Sequence, residues 1–295
     1  MIFRTDLAVE AKDMAGEDIQ GVEYNREEIG EVTIERMMVR TDEAAQEIGK
    51  PKGSYVTITV PALTDNFEST DKRIEVIAQE IRNLIPEEGM ILVAGLGNSD
   101  ITPDALGPKT ASMVLATRHI KGELARSTGL DALRPVSVLT TGVLGQTGIE
   151  TGELLLSVVD KIKPSAVIVI DALASRNLWR LGCTIQLSNT GISPGSGVGN
   201  SRPQISKQTL GVPVISMGVP TVVDATTLAA DLLENNRLNK DSDIKEKTSP
   251  RGEPMIVTPR EIDLLIQRAS KLTGMAINCA LHTKFSPEDL FALIS

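Results

Sequence analysis

Ala166-Val167-Ile168-Val169-Ile170-Asp171 is a run of five apolar residues closed by an acid. A run this short and apolar on both faces reads as a strand inside a parallel sheet. Met90-Ile91-Leu92-Val93-Ala94 repeats the pattern, and the loop Gly95-Leu96-Gly97-Asn98-Ser99-Asp100-Ile101-Thr102-Pro103 leads from it to Asp104. Open α/β sheets place their chemistry in the crevice at the carboxyl ends of the strands. Asp104 and Asp171 are therefore candidates for one acid/base site, and hydrolysis is the first expectation.

Working outward, Ile74, Ile77, Ile81 and Leu84 lie on one helical face that Pro86 closes. Beyond the strand at Met90–Ala94 the pattern predicts a helix at Ala105–Thr117, a strand at Val136–Leu139 and a helix at Glu153–Ile162. Strands at Val167–Ile170, Cys183–Leu187 and Val212–Met217 follow, then a helix at Ala225–Leu233. Short apolar strands alternating with helices give an α/β fold, a three-layer α/β/α core around a mostly parallel central sheet. Residues 7–70 read as a small N-terminal β-rich region packed on that core, because Val32–Met37 and Tyr55–Val60 alternate with period two. The core spans 71–295 and contains a polar, charged stretch at about 234–253 that is expected to be a mobile surface loop. A capping box at Thr258-Pro259-Arg260-Glu261 opens a last helix carrying Ile262, Leu265, Ile266 and Ala269, and a second helical stretch, Met275–Leu281, follows Gly274.

Composition removes several functions. The chain has 295 residues, 41% of them hydrophobic, enough for a sizeable core without staples. A formal charge of -9 argues against direct binding of nucleic acid, which depends on clustered Lys and Arg. No apolar run approaches membrane-spanning length and the first residues lack a signal-peptide h-region, so neither membrane nor export is expected and the location is cytoplasmic. Cys183 and Cys279 read as reduced thiols. With only His119 and His282, there is little material for a metal site or a Ser-His-Asp triad, and no metal or cofactor is expected.

Four glycine-rich loops follow apolar runs, at Gly95–Asn98, Thr140–Gly152, Asn189–Asn200 and Gly218–Asp224. Glycine allows positive φ and close backbone approach, which suits a site that grips a peptide main chain or offers amides to an oxyanion. Gly97, Asn98, Gly195 and Gly197 are the candidate supports from these loops. Glu150 and Asp224 are further acids near the same strand ends, for which helix capping is an equal alternative. The Gly95 loop begins like a dinucleotide fingerprint but has Asp100 where a small residue belongs, and Pro103 interrupts any immediate helix.

Taken together, Gly95-Leu96-Gly97-Asn98, Thr102-Pro103-Asp104-Ala105-Leu106-Gly107-Pro108, Gly148-Ile149-Glu150-Thr151, Ile170-Asp171-Ala172-Leu173-Ala174, Pro194-Gly195-Ser196-Gly197-Val198-Gly199-Asn200 and Gly218-Val219-Pro220-Thr221-Val222-Val223-Asp224-Ala225 closely resemble the germination protease family of spore-forming bacteria. The resemblance covers nearly the whole chain, with the 234–253 region shortened. It implies a fold like that of hydrogenase maturation proteases. It also implies an endopeptidase that begins the degradation of small acid-soluble spore proteins in the spore core. The family's two catalytic aspartates map onto Asp104 and Asp171. A zymogen that removes its own N-terminal segment and a homotetramer are likewise implied. The family's cleavage sites resemble an acid, then Phe or Ile, Ala, a small residue and Glu. This chain carries Asp6-Leu7-Ala8-Val9-Glu10, so cleavage between Asp6 and Leu7 is expected, with residues 1–6 as propeptide. The chemistry expected is attack by water held between two carboxylates that share one proton. Two alternatives stand beside it: a hydrogenase-maturation-type endopeptidase and a non-enzymatic nucleotide-binding module.

Overall fold

The computed structural model describes residues 3–16, 18–68, 71–127, 129–199, 202–234, 248–249 and 255–294. Most of the stretch expected to be a mobile loop at 234–253 lies outside these residues, as do Met1, Ile2 and Asn200.

The described strands are β1 (Val22–Ile29), β2 (Val32–Val39), β3 (Gly53–Thr59), β4 (Ile91–Gly95), β5 (Val136–Thr140), β6 (Ala166–Ala174), β7 (Thr184–Ser188), β8 (Val214–Asp224) and β9 (Ile256–Val257). Eight of them form one sheet in the order β1-β2-β3-β7-β8-β6-β4-β5, with β9 paired to β8. The pairings β8-β6, β6-β4 and β4-β5 are parallel, and those of β1, β2, β3, β7 and β9 are antiparallel.

The apolar runs are continuous because the sheet is covered on both sides. Ile91, Val93, Ile168 and Ile170 point into one core layer with Ile74, Ile77 and Ile81 of the helix Lys72–Leu84 and with Leu265, Ile266 and Ala269 of the helix Ile262–Leu281. Their neighbours Leu92, Ala94, Val167 and Val169 point into the other, against Leu155 and Val159 of the helix Thr151–Ile162. This alternation makes the three layers. Continued along β6, it puts Asp171 and Leu173 on the side of the second layer.

Several expectations change. The N-terminal strands are hydrogen-bonded into the main sheet through β3 and β7. The strand β1 went unread because it is an edge strand exposed along nearly its whole length, with Glu23, Arg26, Glu27 and Glu28 breaking the alternation. Before it, Ala8–Ala15 is helical, within the region expected to be β-rich. The helix after Asp104 covers only Leu106–Ser112, shorter than Ala105–Thr117, because Asn278 intervenes. The Asn278 side chain accepts from Leu115 N at 2.9 Å and donates to Met113 O at 2.9 Å. The expected capping box at Thr258 does not cap: Thr258 Oγ1 donates to Thr221 O at 2.9 Å, and the helix begins at Ile262. That helix runs unbroken through Gly274 to Leu281. A Cβ on Gly274 would lie 2.6 Å from Met113 Cβ, so the glycine serves close helix packing and not a break.

Candidate active site

Asp171 sits inside β6, paired with Gly218 of β8, because the strand continues to Ala174 and does not stop at Ile170. The partner strand β4 has already ended at Gly95, so this stretch of β6 borders a cleft. Asp104 ends a short 3-10 turn, Thr102–Asp104, with Pro103 in its first turn. The turn is tied to β8 by Thr221 Oγ1, which donates to Pro103 O at 2.8 Å. Both acids line one cleft of about 450 Å³, together with Gly97, Asn98, Glu150 and Gly195.

The Gly95 loop turns its amides inward. Asn98 N donates to Asp104 Oδ2 at 2.7 Å, and Gly97 has a φ of +105°. A Cβ at position 97 would lie 2.2 Å from Asp104 O, so only glycine permits this approach. An amide already committed to a carboxylate is not a phosphate cradle, which removes the physical basis for the nucleotide-binding alternative.

Burial sets the electrostatics. Asp171 is 5% exposed, and burial holds its carboxyl well above the usual carboxylate range, with the charges of Asp104 and Asp6 adding to the rise. The hydrogen bond that Oδ1 accepts from Ala172 N at 2.9 Å opposes it. Asp104 is also raised by burial, and the Asn98 amide opposes that rise. The two acids thus interact, and Asp171 is the better proton holder.

The N-terminal segment reaches this site at Asp6. Asp6 N donates to Ala174 O at 2.8 Å, and Asp6 Oδ2 accepts from Ala174 N at 2.8 Å. Ser196 Oγ donates to Asp6 Oδ1 at 2.7 Å. A Cβ at Gly197 would fall 2.2 Å from Asp6 Oδ2, so this glycine makes room for the segment. Leu7 is fully buried with Val9 and Leu173. Glu10 accepts from Arg176 N at 2.7 Å and from Asn177 N and Nδ2 at 2.9 Å each. The Asp6 carbonyl oxygen accepts from Lys50 Nζ and Gln186 Nε2, both at 3.0 Å, so the donors at this carbonyl are side chains and not the glycine-loop amides expected.

Asp224 does not line the cleft. Its Oδ1 accepts from Thr227 N at 2.9 Å at the start of the helix Ala225–Glu234, the capping role held as its alternative, and Oδ2 lies 3.8 Å from Arg4 Nη1. Glu150 Oε1 lies 3.6 Å from Arg202 Nη1. His119 and His282 lie toward the opposite end of the parallel strands: Arg118 N bonds the first residue of β5, and Arg134, just before β5, is the charge that acts on His282. Among the described residues no three His, Cys, Asp or Glu side chains form a group that could hold a metal ion.

The family model described as germination protease matches residues 3–236. The chain belongs to the germination protease family. A germination protease of Caldanaerobacter subterraneus subsp. tengcongensis is 44% identical, with 99% of this chain and 98% of that one covered. One from Clostridium perfringens is 42% identical over 97% of each, and one from Priestia megaterium 37% identical over 98% of this chain and 96% of the other. A solved [NiFe] hydrogenase maturation protease from Thermococcus kodakarensis aligns with a TM-score of 0.38 at 14% identity, covering 67% of this chain and 98% of that one. A likeness this low leaves the chemistry to the chain's own residues. The family match contains both acids and the docked segment, and the chain is a peptidase of germination by that membership.

Sequence reading missed Lys50, Gln186, Arg176 and Asn177. Gln186 carried a signal, a polar residue inside the apolar run Ile185-Gln186-Leu187. Lys50 carried none, since a lysine after a helix-ending Gly49 is ordinary surface sequence.

Proposed function

We propose that this peptidase is made as a zymogen that hydrolyses its own Asp6–Leu7 bond, and that the mature enzyme cuts small acid-soluble spore proteins. The observation that carries this reading is the segment Asp6–Glu10, substrate-like in sequence, whose Asp6 lines the cleft together with Asp104 and Asp171 and is bonded to Ala174 at its wall.

In the proposed reaction Asp104 is ionised and Asp171 protonated, the order that their environments favour. Asp104 takes a proton from a water molecule, and the water oxygen adds to the Asp6 carbonyl carbon. The tetrahedral intermediate collapses, the C–N bond breaks, and the Leu7 nitrogen leaves with the proton of Asp171. The dyad ends with its proton on Asp104, and exchange with solvent resets it. The chain's products are a six-residue peptide ending in Asp6 and a mature protein beginning at Leu7. A substrate acid in place of Asp6 would meet the same Ala174 amide and Ser196 hydroxyl, which accounts for acid specificity before the cut.

We further propose that the enzyme acts as a homotetramer in the cytoplasm of the spore core. Among the described residues no helix is long and apolar enough to cross a membrane.

The test is incubation of the purified enzyme with a small acid-soluble spore protein, with and without chelator, followed by sequencing of the new N-termini. Cuts after acids that precede an apolar residue, unaffected by chelator, are expected. An intact spore protein, or cleavage that chelator abolishes, would contradict the proposal.

A further inference from the structure

We propose that Lys50 and Gln186 are the oxyanion-binding pair of this peptidase, holding the carbonyl oxygen of the residue that precedes the scissile bond. The proposal rests on the reading that Asp6–Leu7 is the bond cut.

Two elements far apart in sequence converge on one oxygen. Lys50 follows the Gly49 cap of the helix Asp42–Ile48, and Gln186 is the central residue of β7. Lys50 Nζ donates to Asp6 O at 3.0 Å and to Thr5 O at 3.1 Å, and Gln186 Nε2 donates to Asp6 O at 3.0 Å. The orientation of the Gln186 amide is fixed independently, because its Oε1 accepts from Ala8 N at 2.5 Å. Gln186 therefore clamps the chain on both sides of Leu7, with its amide nitrogen turned to the Asp6 carbonyl. Lys50, Gln186 and the segment Phe3–Asp6 line a second cleft of about 350 Å³ that meets the dyad's cleft at Asp6 and Leu173.

A neutral carbonyl does not need an ammonium. Burial pulls the Lys50 amine below its usual range, while the Asp6 and Glu10 carboxylates oppose that shift and favour the charge. An ammonium held against two main-chain oxygens is stabilised most when one of them acquires negative charge. That happens to the Asp6 oxygen in the tetrahedral intermediate. When water adds to the carbonyl carbon, the π pair moves to the oxygen and is met by Lys50 and Gln186. No proton transfer to that oxygen is then needed, and the single proton on Asp171 goes to the departing Leu7 nitrogen. Collapse returns the pair to the carbonyl and expels the amine.

The experiment follows loss of residues 1–6 from the full-length chain by intact mass. Variants are Lys50→Met, Lys50→Arg, and Gln186→Glu, which keeps the oxygen facing Ala8 N and removes the N–H donor. Removing an oxyanion donor costs about 10²–10³-fold in rate. Lys50→Met is expected to slow processing by that factor, Gln186→Glu by at least about tenfold, and Lys50→Arg to recover at least about tenfold over Lys50→Met. Hydrogen exchange of the peptide spanning residues 3–15, measured in an Asp171→Asn background so that nothing is cut, should stay unchanged in each variant. Wild-type processing rates in folded Lys50→Met or Gln186→Glu protein would overturn the proposal. So would a rate loss matched by faster exchange, which would mean that the pair only docks the segment. If Lys50→Met does not fold, Gln186→Glu decides alone on the same criteria. Wild-type protein cut elsewhere than Asp6–Leu7, or Asp171→Asn protein that still processes, would instead refute the dyad reading beneath it.

Discussion

Val167, Val169, Asp171 and Leu173 face the same side of β6, and only the third can carry charge. A carboxyl at 5% exposure is tolerable there because it can hold a proton. The folded protein binds that proton more tightly than the unfolded chain does. The stability cost is therefore absent below the unfolded carboxyl range and grows as pH rises toward the folded value. Asp171→Asn keeps the oxygen facing Ala172 N and removes this cost, so its melting temperature at pH 7 should rise above that of wild type. Calorimetry at pH 7 checks it, and a marked fall would show that the charged form is structural. Self-processing should follow a bell-shaped pH profile, with an acid limb for Asp104 and an alkaline limb for Asp171. Asp6→Asn removes one of the charges that raise Asp171 and should move the alkaline limb down, read from processing rates across pH 4 to 9 in buffers of fixed ionic strength. That these two acids share one cleft was legible in sequence because each closes or follows an apolar run. Lys50 was not, because what gives it meaning is the carbonyl it touches, and nothing local encodes that contact.

At the scale of elements, β4 and β6 were legible because burial on both faces writes an unbroken apolar run. The antiparallel edge was not, since β1 is polar on both faces and its pairing with β2 is the only thing that makes it a strand. The glycine loops were legible as a group, but their division of labour was not. Gly97 makes room for Asp104 and Gly197 for Asp6, while the Gly218–Asp224 stretch is strand rather than loop. Gly197→Ala would drive a methyl group into Asp6 Oδ2 and displace the segment, and misplacement of about 1 Å costs about 10²-fold in rate. Intact-mass kinetics should show that loss, and unchanged processing would mean that Asp6 is not held there during reaction. Gly274→Ala overpacks the contact with Met113 and should cost about 1–3 kcal/mol in urea unfolding. A variant as stable as wild type would show that the two helices can separate freely.

At the scale of the molecule, the N-terminal segment ties the sheet's two halves to the site. Arg4 N donates to Thr227 Oγ1 at 3.0 Å beyond β8, Asp6 bonds β6, Gln186 of β7 holds Asp6 and Ala8, and Lys50 reaches in from beside β3. Segment, acids and cleft are assembled together, which is why the start of the region expected to be β-rich is buried at Leu7 and helical from Ala8. Sedimentation equilibrium should give the mass of four chains, and a monomer at micromolar concentration would contradict the proposed assembly. The most direct test of the central claim is the intact mass of freshly made protein over time for wild type, Asp104→Asn and Asp171→Asn. Wild type should lose residues 1–6 and begin at Leu7, while both variants stay full length and folded. A folded Asp171→Asn or Asp104→Asn protein that still begins at Leu7 would contradict it.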